Sequence, residues 1–185
     1  MKPLMRYFIM KTVGHGRFAD LFTPTNAYDD PLKEGRLSPV LPPYTAVCVD
    51  GRSTLADGVY CVSGLLILSD RIASLVKGFR LPQNTKFQEI SVVGPDARPI
   101  GKAVAVLFEE HLDAIDVGAS ECEMLTETIP WYFTGPPVVR ISEIVDFDLV
   151  SCLHAPRLCS EDMRNVLSKA SPTNIRFEEC IVQAD

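Results

Sequence analysis

The usual local signatures of catalysis are missing from this chain of 185 residues. Its cysteines form no Cys-x-x-Cys pair, and its three histidines show no His-x-x-x-His or His-Glu-x-x-His spacing. Zinc sites built from local ligand pairs are therefore not expected. There is also no Gly-x-x-x-x-Gly-Lys-Ser/Thr loop, no Gly-x-Gly-x-x-Gly and no Gly-x-Ser-x-Gly. We expect no catalytic residue, no metal and no cofactor.

Long apolar runs are missing as well. No stretch approaches the roughly 20 apolar residues that a membrane span needs. Residues 1–11 hold only a short apolar run between charges, which is not typical of a signal peptide. We therefore expect a cytoplasmic protein without a membrane partner. In that reducing compartment the six cysteines are expected to be free thiols, most of them buried.

Basic residues are absent from one long segment, residues 103–139, which carries seven carboxylates and accounts for the net charge of -6. An acidic chain argues against a nucleic-acid partner, which would require a basic face. Concentrated charge can instead speed and orient docking with a basic protein. Two alternatives are a solvated surface without a partner and a metal site of Glu109, Glu110, Asp113 and Asp116, whose spacing fits no EF-hand loop.

Aromatic residues follow the acidic segment closely. Residues 131–133 are three consecutive aromatics, and they cannot all enter one core from a strand because successive side chains alternate between faces. Tyr and Trp are frequent hot spots of binding. The alternative is a core position with one edge contact. We predict a docking face formed by Glu109, Glu110, Asp113, Asp116, Glu121, Glu123, Trp131 and Tyr132.

A helix-plus-strand module occurs twice, at about 65–93 and 157–183. In each copy a serine, Ser69 or Ser160, is placed to cap a helix with apolar residues at i, i+3, i+4 and i+7. Both copies continue with a Pro-x-Asn-x-basic-Phe-x-Glu run into a strand. The predicted apolar faces are Ile72, Leu75, Val76 and Phe79 in the first helix and Met163, Val166, Leu167 and Ala170 in the second.

Short strands are predicted wherever apolar and β-branched residues cluster between turn signals. They cover residues 5–13, 45–50, 86–93, 102–108, 138–144, 148–153 and 175–182. Residues 20–43 are predicted to form a long loop. The sequence thus predicts an α+β fold with a mixed or antiparallel sheet and few helices, as a single domain over residues 1–185. Its two modules should share one core, because neither half has enough apolar surface alone.

Several stretches resemble one family of bacterial proteins. They are Arg6-Tyr7-Phe8-Ile9, residues 64–72 and 86–88, residues 112–116 with Ser120, Leu158-Cys159-Ser160-Glu161-Asp162-Met163-Arg164, and residues 174–178. Together they are similar to the immunity proteins of polymorphic toxin systems, in the family typified by a Myxococcus immunity protein (immunity family eleven). The chain departs from that family at residues 20–43 and at Pro156.

The resemblance implies a non-catalytic protein that binds and neutralises a cognate toxin encoded nearby. The acidic segment favours a toxin with a basic surface. Two other functions stay open. One is a small enzyme in which Cys152 or Cys159 meets His154 and a carboxylate such as Asp146 or Asp148. The other is a regulator that binds some other protein.

Overall fold

A computed structural model describes most of the chain. The described residues are 5–13, 21–22, 45–48, 53–61, 65–93, 98–124, 130–153 and 157–183. Apart from residues 21–22, the loop predicted over 20–43 lies outside them. In this part of the chain no helix is both long and apolar enough to cross a membrane.

Strands dominate, and helices are few. The first half of the chain, as we use the term, contains β1 (Tyr7–Thr12), β2 (Leu21–Phe22), β3 (Thr45–Cys48), β4 (Gly58–Val59), β5 (Leu66–Leu68), α1 (Asp70–Val76) and β6 (Lys86–Val93). The second half contains β7 (Pro99–Leu107), β8 (Ile115–Asp116), β9 (Cys122–Met124), β10 (Pro130–Phe133), β11 (Val138–Arg140), β12 (Leu149–Val150), β13 (Leu158–Ser160), α2 (Glu161–Lys169), β14 (Ile175–Glu179) and β15 (Ile181–Gln183). Most strand pairs are antiparallel, so the predicted α+β class with few helices is confirmed.

Both helices begin at the serines that the sequence indicates. Ser69 Oγ accepts a hydrogen bond from Ile72 N at 3.4 Å, and Ser160 Oγ accepts one from Met163 N at 3.3 Å. Each cap satisfies an N–H group that has no partner inside the helix. Ile72 and Met163 are fully buried one turn later, so the cap and the apolar face act together.

Some predicted boundaries and faces are wrong. Val166 is 40% exposed rather than buried, so the buried face of this helix is narrower than predicted and consists of Met163 and Leu167. The strand predicted over 138–144 ends at Arg140, where a 3-10 turn (Ile141–Glu143) begins. The strand predicted over 175–182 is divided at Cys180, because its first part pairs with β1 and its second with β11.

Each half of the chain gives its first strand to the sheet of the other half. β7 lies between β5 and β6 and is antiparallel to both, whereas β1 lies between β13 and β14 and is antiparallel to both. The outer strands are arranged in the same way, because β4 pairs with β5 and β12 pairs with β13. In the first half, the parallel pair β3–β6 and the antiparallel strand β2 extend the same sheet. In the second half, the corresponding parallel pair β11–β15 and the antiparallel strand β8 form a separate three-stranded sheet. Neither sheet is complete without a strand from the other half.

The strand registers agree with the alignment of the two modules. When the cap serines are matched, Leu68 is equivalent to Cys159, and these residues lie opposite Val104 and Phe8. The central strands β7 and β1 are therefore equivalent through Val104 and Phe8.

The strands after the helices give the same equivalence independently. Phe87 lies opposite Val106 and Phe177 lies opposite Met10, two residues further along each central strand. The strand before the helix and the strand after it therefore give the same alignment of β7 with β1. The two halves share a detailed plan as well as a pattern of caps and faces.

The two modules share one hydrophobic cluster between their sheets. It contains residues of α1 and α2 and the inward side chains of both sheets, for example Ile72, Met163, Leu68, Phe8 and Val106. A second cluster lies on the other face of the first-half sheet, around Ile67 and Ile90. A third lies on the other face of the second-half sheet, around Ile9 and Val139. Each sheet is thus packed on both faces.

Two equivalent aspartates join the halves at the helix starts. Asp57 accepts hydrogen bonds from Ser69 Oγ at 2.7 Å and, across the halves, from Thr173 N at 3.1 Å, and it pairs with Arg71 at 2.6 Å. Asp148 pairs with Arg80 of the other half, whose backbone N–H donates at 3.1 Å and whose Nε donates at 3.0 Å. Each carboxylate therefore supports the helix cap of its own half and the loop after the helix of the other.

The two aspartates belong to a shared sequence motif that lies before the predicted start of each module. Asp57-Gly58-Val59-Tyr60-Cys61 and Asp148-Leu149-Val150-Ser151-Cys152 both read Asp-x-Val-x-Cys. In both halves the aspartate precedes the cap serine by 12 residues. The similarity of the halves thus begins earlier than residues 65 and 157.

Neutralising Asp148 should destabilise the protein. We expect Asp148→Asn to lower the free energy of unfolding by about 1–3 kcal/mol, because several donors lose a charged acceptor at a largely buried position. Urea unfolding followed by circular dichroism measures the loss. Glu89→Gln is the control, since its exposed pair with Lys102 should contribute less than about 1 kcal/mol. Equal losses in the two variants would contradict this role.

Acid should weaken the same junction. Burial alone would raise the pKa of Asp57 and of Asp148, but hydrogen bonds from Arg71, Ser69 and Thr173 N–H to Asp57, and from Arg80 to Asp148, lower both below 3.8. A lowered carboxyl pKa contributes stability above the unfolded pKa and loses it as the pH falls through the folded pKa. The free energy of unfolding should therefore drop below about pH 4, and less steeply in a variant with Asn at both positions. Parallel pH profiles for the two proteins would refute the assignment.

Candidate functional site

The acidic segment forms one interrupted hairpin in the second half. Its base is the antiparallel pair β8–β11, where Ile115 lies opposite Val139, and its outer part is the pair β9–β10. A turn separates the two parts. Ser120 Oγ organises this turn by donating to Asp116 O at 2.6 Å and accepting from Val138 N at 2.9 Å. We call the β9–β10 pair, together with the adjoining pair Glu121 and Thr134, the arm.

Three of the predicted docking carboxylates are used in contacts within the protein. Glu109 forms an ion pair with Lys86 of β6, and Asp113 pairs with Arg140 at 3.1 Å. Asp116 Oδ1 accepts from the backbone N–H of the turn residue 119 at 3.0 Å. The two basic partners lie outside the segment without Lys or Arg, so the segment alone does not reveal that the base of the hairpin is neutralised.

Three other predicted carboxylates remain available. Glu110, Glu121 and Glu123 are exposed, and none of them forms an ion pair with any described residue. Glu121 and Glu123 belong to the arm, whereas Glu110 lies between β7 and β8. Two of these three carboxylates are therefore on the arm.

The two predicted aromatic anchors lie on the other strand of the arm. Tyr132 is opposite Glu123 and Pro130 is opposite Met124, so Trp131 falls at a β-bulge without a partner on β9. Bulges redirect side chains and are common next to binding sites. The structure places the backbone of Trp131 and Tyr132 beside the free carboxylates, whereas their side chains lie outside its described part.

The faces of β9 differ in polarity. Glu121 and Glu123 lie two residues apart and therefore share one face, whereas Cys122 and Met124 share the other. Cys122 Sγ and Met124 Sδ are 3.4 Å apart, and Met124 is 43% exposed. Of the described arm residues, Phe133 packs against the third hydrophobic cluster. Phe133 thus connects one end of the arm to the core. The rest of the arm exposes one charged face and one apolar face.

The thiols considered for an enzyme are in an unsuitable environment. Cys152 is 6% exposed, and burial raises its pKa to about 12. Burial also raises the pKa of Cys159, which is fully inaccessible. It raises the pKa of Cys180 to about 12. A thiol nucleophile needs the opposite shift, since the thiolate is the reactive form. His154, the predicted base, lies outside the described residues, and Asp148 is occupied by Arg80.

A different histidine does contact a hydroxyl. His111 Nδ1 and Ser151 Oγ are hydrogen-bonded at 2.8 Å, a pair that sequence spacing does not suggest because the residues are far apart in the chain. Burial, helped by the positive charge of Arg157, lowers the pKa of His111. Ser151 is buried, so its hydroxyl is not placed to attack a substrate. The pair joins the hairpin base to the second-half sheet.

A shallow cleft of about 200 Å³ lies at the start of α2. Its wall includes Arg6, Arg80, Asp148 and Glu161. These charges already satisfy one another, as Arg6 pairs with Glu161 at 3.1 Å and Arg80 with Asp148 at 3.0 Å. In the described part of the chain, no group of three or more His, Cys, Asp or Glu residues is arranged to hold a metal ion.

Comparison with known proteins adds no identification. No protein-family model matches the chain, and no curated protein matches it.

Alkylation can test the state of the thiols directly. At about pH 8, iodoacetamide should modify Cys152, Cys159 and Cys180 slowly in the native protein, because burial keeps them protonated and inaccessible. Cys122, half-buried on the arm, should react faster and serves as the internal control. Peptide mass spectrometry before and after unfolding in urea measures both rates. Native Cys152 that reacts as fast as unfolded Cys152 would revive the thiol-enzyme hypothesis.

Proposed function

We propose that this chain is a non-catalytic immunity protein, which binds a cognate bacterial toxin through the arm and neutralises it. The observation that carries the proposal is a set of exposed carboxylates, Glu110, Glu121 and Glu123, which form no ion pair with the described residues and lie in a segment without Lys or Arg. Such a surface attracts a basic partner and increases the rate of encounter. The sequence resemblance to immunity proteins supports the same role.

The arm also has the physical character of a contact surface. An isolated pair of strands is at best marginally stable in water, and this one exposes Met124 together with its charged face. Covering the arm with a partner would bury apolar surface and compensate its charge at the same time. Trp131 and Tyr132 are our proposed anchors on β10, because aromatic residues dominate the energetics of many interfaces.

The proposed partner has a basic surface. Toxins that act on nucleic acids require such a surface for their substrate, because phosphate contacts dominate nucleic-acid affinity. An acidic arm over that surface would compete with the substrate. The buried, protonated thiols favour this binding role over the thiol-enzyme alternative.

Co-expression tests the proposed function. Cells that express the toxin encoded beside this gene should grow when this protein is co-expressed and should stop growing without it. If cells die equally fast in both cases, the protein is not the immunity partner of that toxin.

Charge reversal tests the surface. A variant with Glu121→Lys and Glu123→Lys should associate with the toxin at least about tenfold more slowly at low salt, because it reverses the attraction. The difference should shrink at high salt, where charges are screened. Stopped-flow fluorescence or surface plasmon resonance measures the rates.

The matched control is a variant with Glu143→Lys and Asp146→Lys, which makes the same change in net charge at exposed positions outside the acidic segment. It should slow association much less. If both variants slow association equally, only the net charge matters, and the arm has no special role in docking.

A further inference from the structure

One edge of β9 has no strand partner among the described residues, in which β9 pairs with β10 alone in a two-stranded sheet. Thr134 N–H donates to Glu121 O at 2.9 Å, so the backbone groups of Glu121 face β10. Because these groups alternate in direction along a strand of an antiparallel pair, the N–H and C=O of Cys122 and Met124 point away from β10. The outer edge therefore offers hydrogen-bonding groups at alternate residues.

The fold covers other strand ends that are in a comparable position. At β4, Gly58 N donates to Thr173 O at 2.9 Å, and beside β12 Asp148 N donates to Arg80 O at 2.7 Å. In both cases a loop from the other half occupies the edge. Proteins also protect open edges with very short strands, charged side chains, Pro or a bulge. β9 has three residues and carries the charge of Glu123, but it has no Lys or Pro, and the bulge of the arm lies on β10.

The chemistry of β9 specifies what fits beside it. A strand added at this edge alternates its side chains between the two faces of the sheet. On one face they would lie beside Glu121 and Glu123, and on the other beside Cys122 and Met124. Opposite charges across strands are favourable, and apolar neighbours bury surface.

We infer that the toxin adds an extended segment to the outer edge of β9, with basic side chains over Glu121 and Glu123 and apolar side chains over Cys122 and Met124. This inference rests on the proposed function and specifies its binding mode as strand addition. Main-chain hydrogen bonds then supply affinity, and the alternation of the partner's side chains supplies specificity.

The first experiment uses a synthetic peptide as the probe. An eight-residue peptide of alternating lysine and valine is titrated into the ¹⁵N-labelled full chain, and a peptide of the same composition with four lysines followed by four valines is the control. The alternating peptide should shift the amide signals of Cys122 and Met124 and bind at least about tenfold more tightly than the block peptide. Equal affinities would mean that charge alone attracts the peptides, and they would overturn strand addition.

The second experiment removes one outward N–H. Met124→Pro lacks the donor at the free edge without removing a donor that faces β10, whereas Met124→Ala shortens the same side chain and keeps the donor. Affinity for the alternating peptide should be at least about tenfold lower in the Pro variant than in the Ala variant. Equal affinities in the two variants would exclude an added strand.

Two further measurements separate the possible outcomes. If Met124→Pro unfolds the arm, as judged by the amide signals of β10, a variant with Glu121→Gln and Glu123→Gln replaces it and should lose the preference for the alternating peptide. A retained preference would overturn the inference. In co-expression, a wild-type chain that fails to protect cells contradicts the proposed function, whereas protection that is equal for wild type and Met124→Pro contradicts only the strand addition.

Discussion

Each half of this chain completes its sheet with a strand from the other half. β7 of the second half lies between β5 and β6, and β1 of the first half lies between β13 and β14. The inward residues of both central strands enter one shared cluster with α1 and α2, so the exchange also determines the core. The two halves are therefore expected to fold together, because a half without its exchanged strand would leave two strands without their common neighbour.

Asp57 and Asp148 also connect the two halves, through polar contacts. Each one supports a helix cap in its own half and binds the loop after the helix in the other half. Both carboxylates are ionised at neutral pH, since their hydrogen bonds outweigh the effect of burial on their pKa values. The arm therefore extends from a scaffold whose two halves are joined by both apolar and polar contacts.

The arm lies between β8 and β11 in the second half. The corresponding interval of the first half, between β2 and β3, holds residues 23–44, which are outside the described structure. Glu109 and Asp113 are compensated by Lys86 and Arg140. Glu121 and Glu123 of the arm form no ion pair with the described residues. This contrast distinguishes a structural part of the acidic segment from the part that we propose for toxin binding.

Local features were predictable from the sequence, and long-range ones were not. Ser69 and Ser160 could be identified as caps because capping depends on residues within one turn. The exchange of β1 and β7 depends on pairs such as Phe8 with Cys159, and no local pattern encodes such partners. From the sequence, Asp148 is a candidate catalytic carboxylate. In the structure it pairs with Arg80, which is distant in sequence, and so has a structural role. The pairing of Glu109 with Lys86 escaped prediction for the same reason.

We propose that the strand-exchanged scaffold presents the arm to a basic toxin. Hydrogen exchange with mass spectrometry, on the full chain alone and in complex with the toxin, tests it most directly. We expect the amides of β1 and β7 to be protected in both states, and those of Cys122 and Met124 to gain protection only in the complex. Protection that appears elsewhere on the surface, with exchange on β9 unchanged, would contradict it.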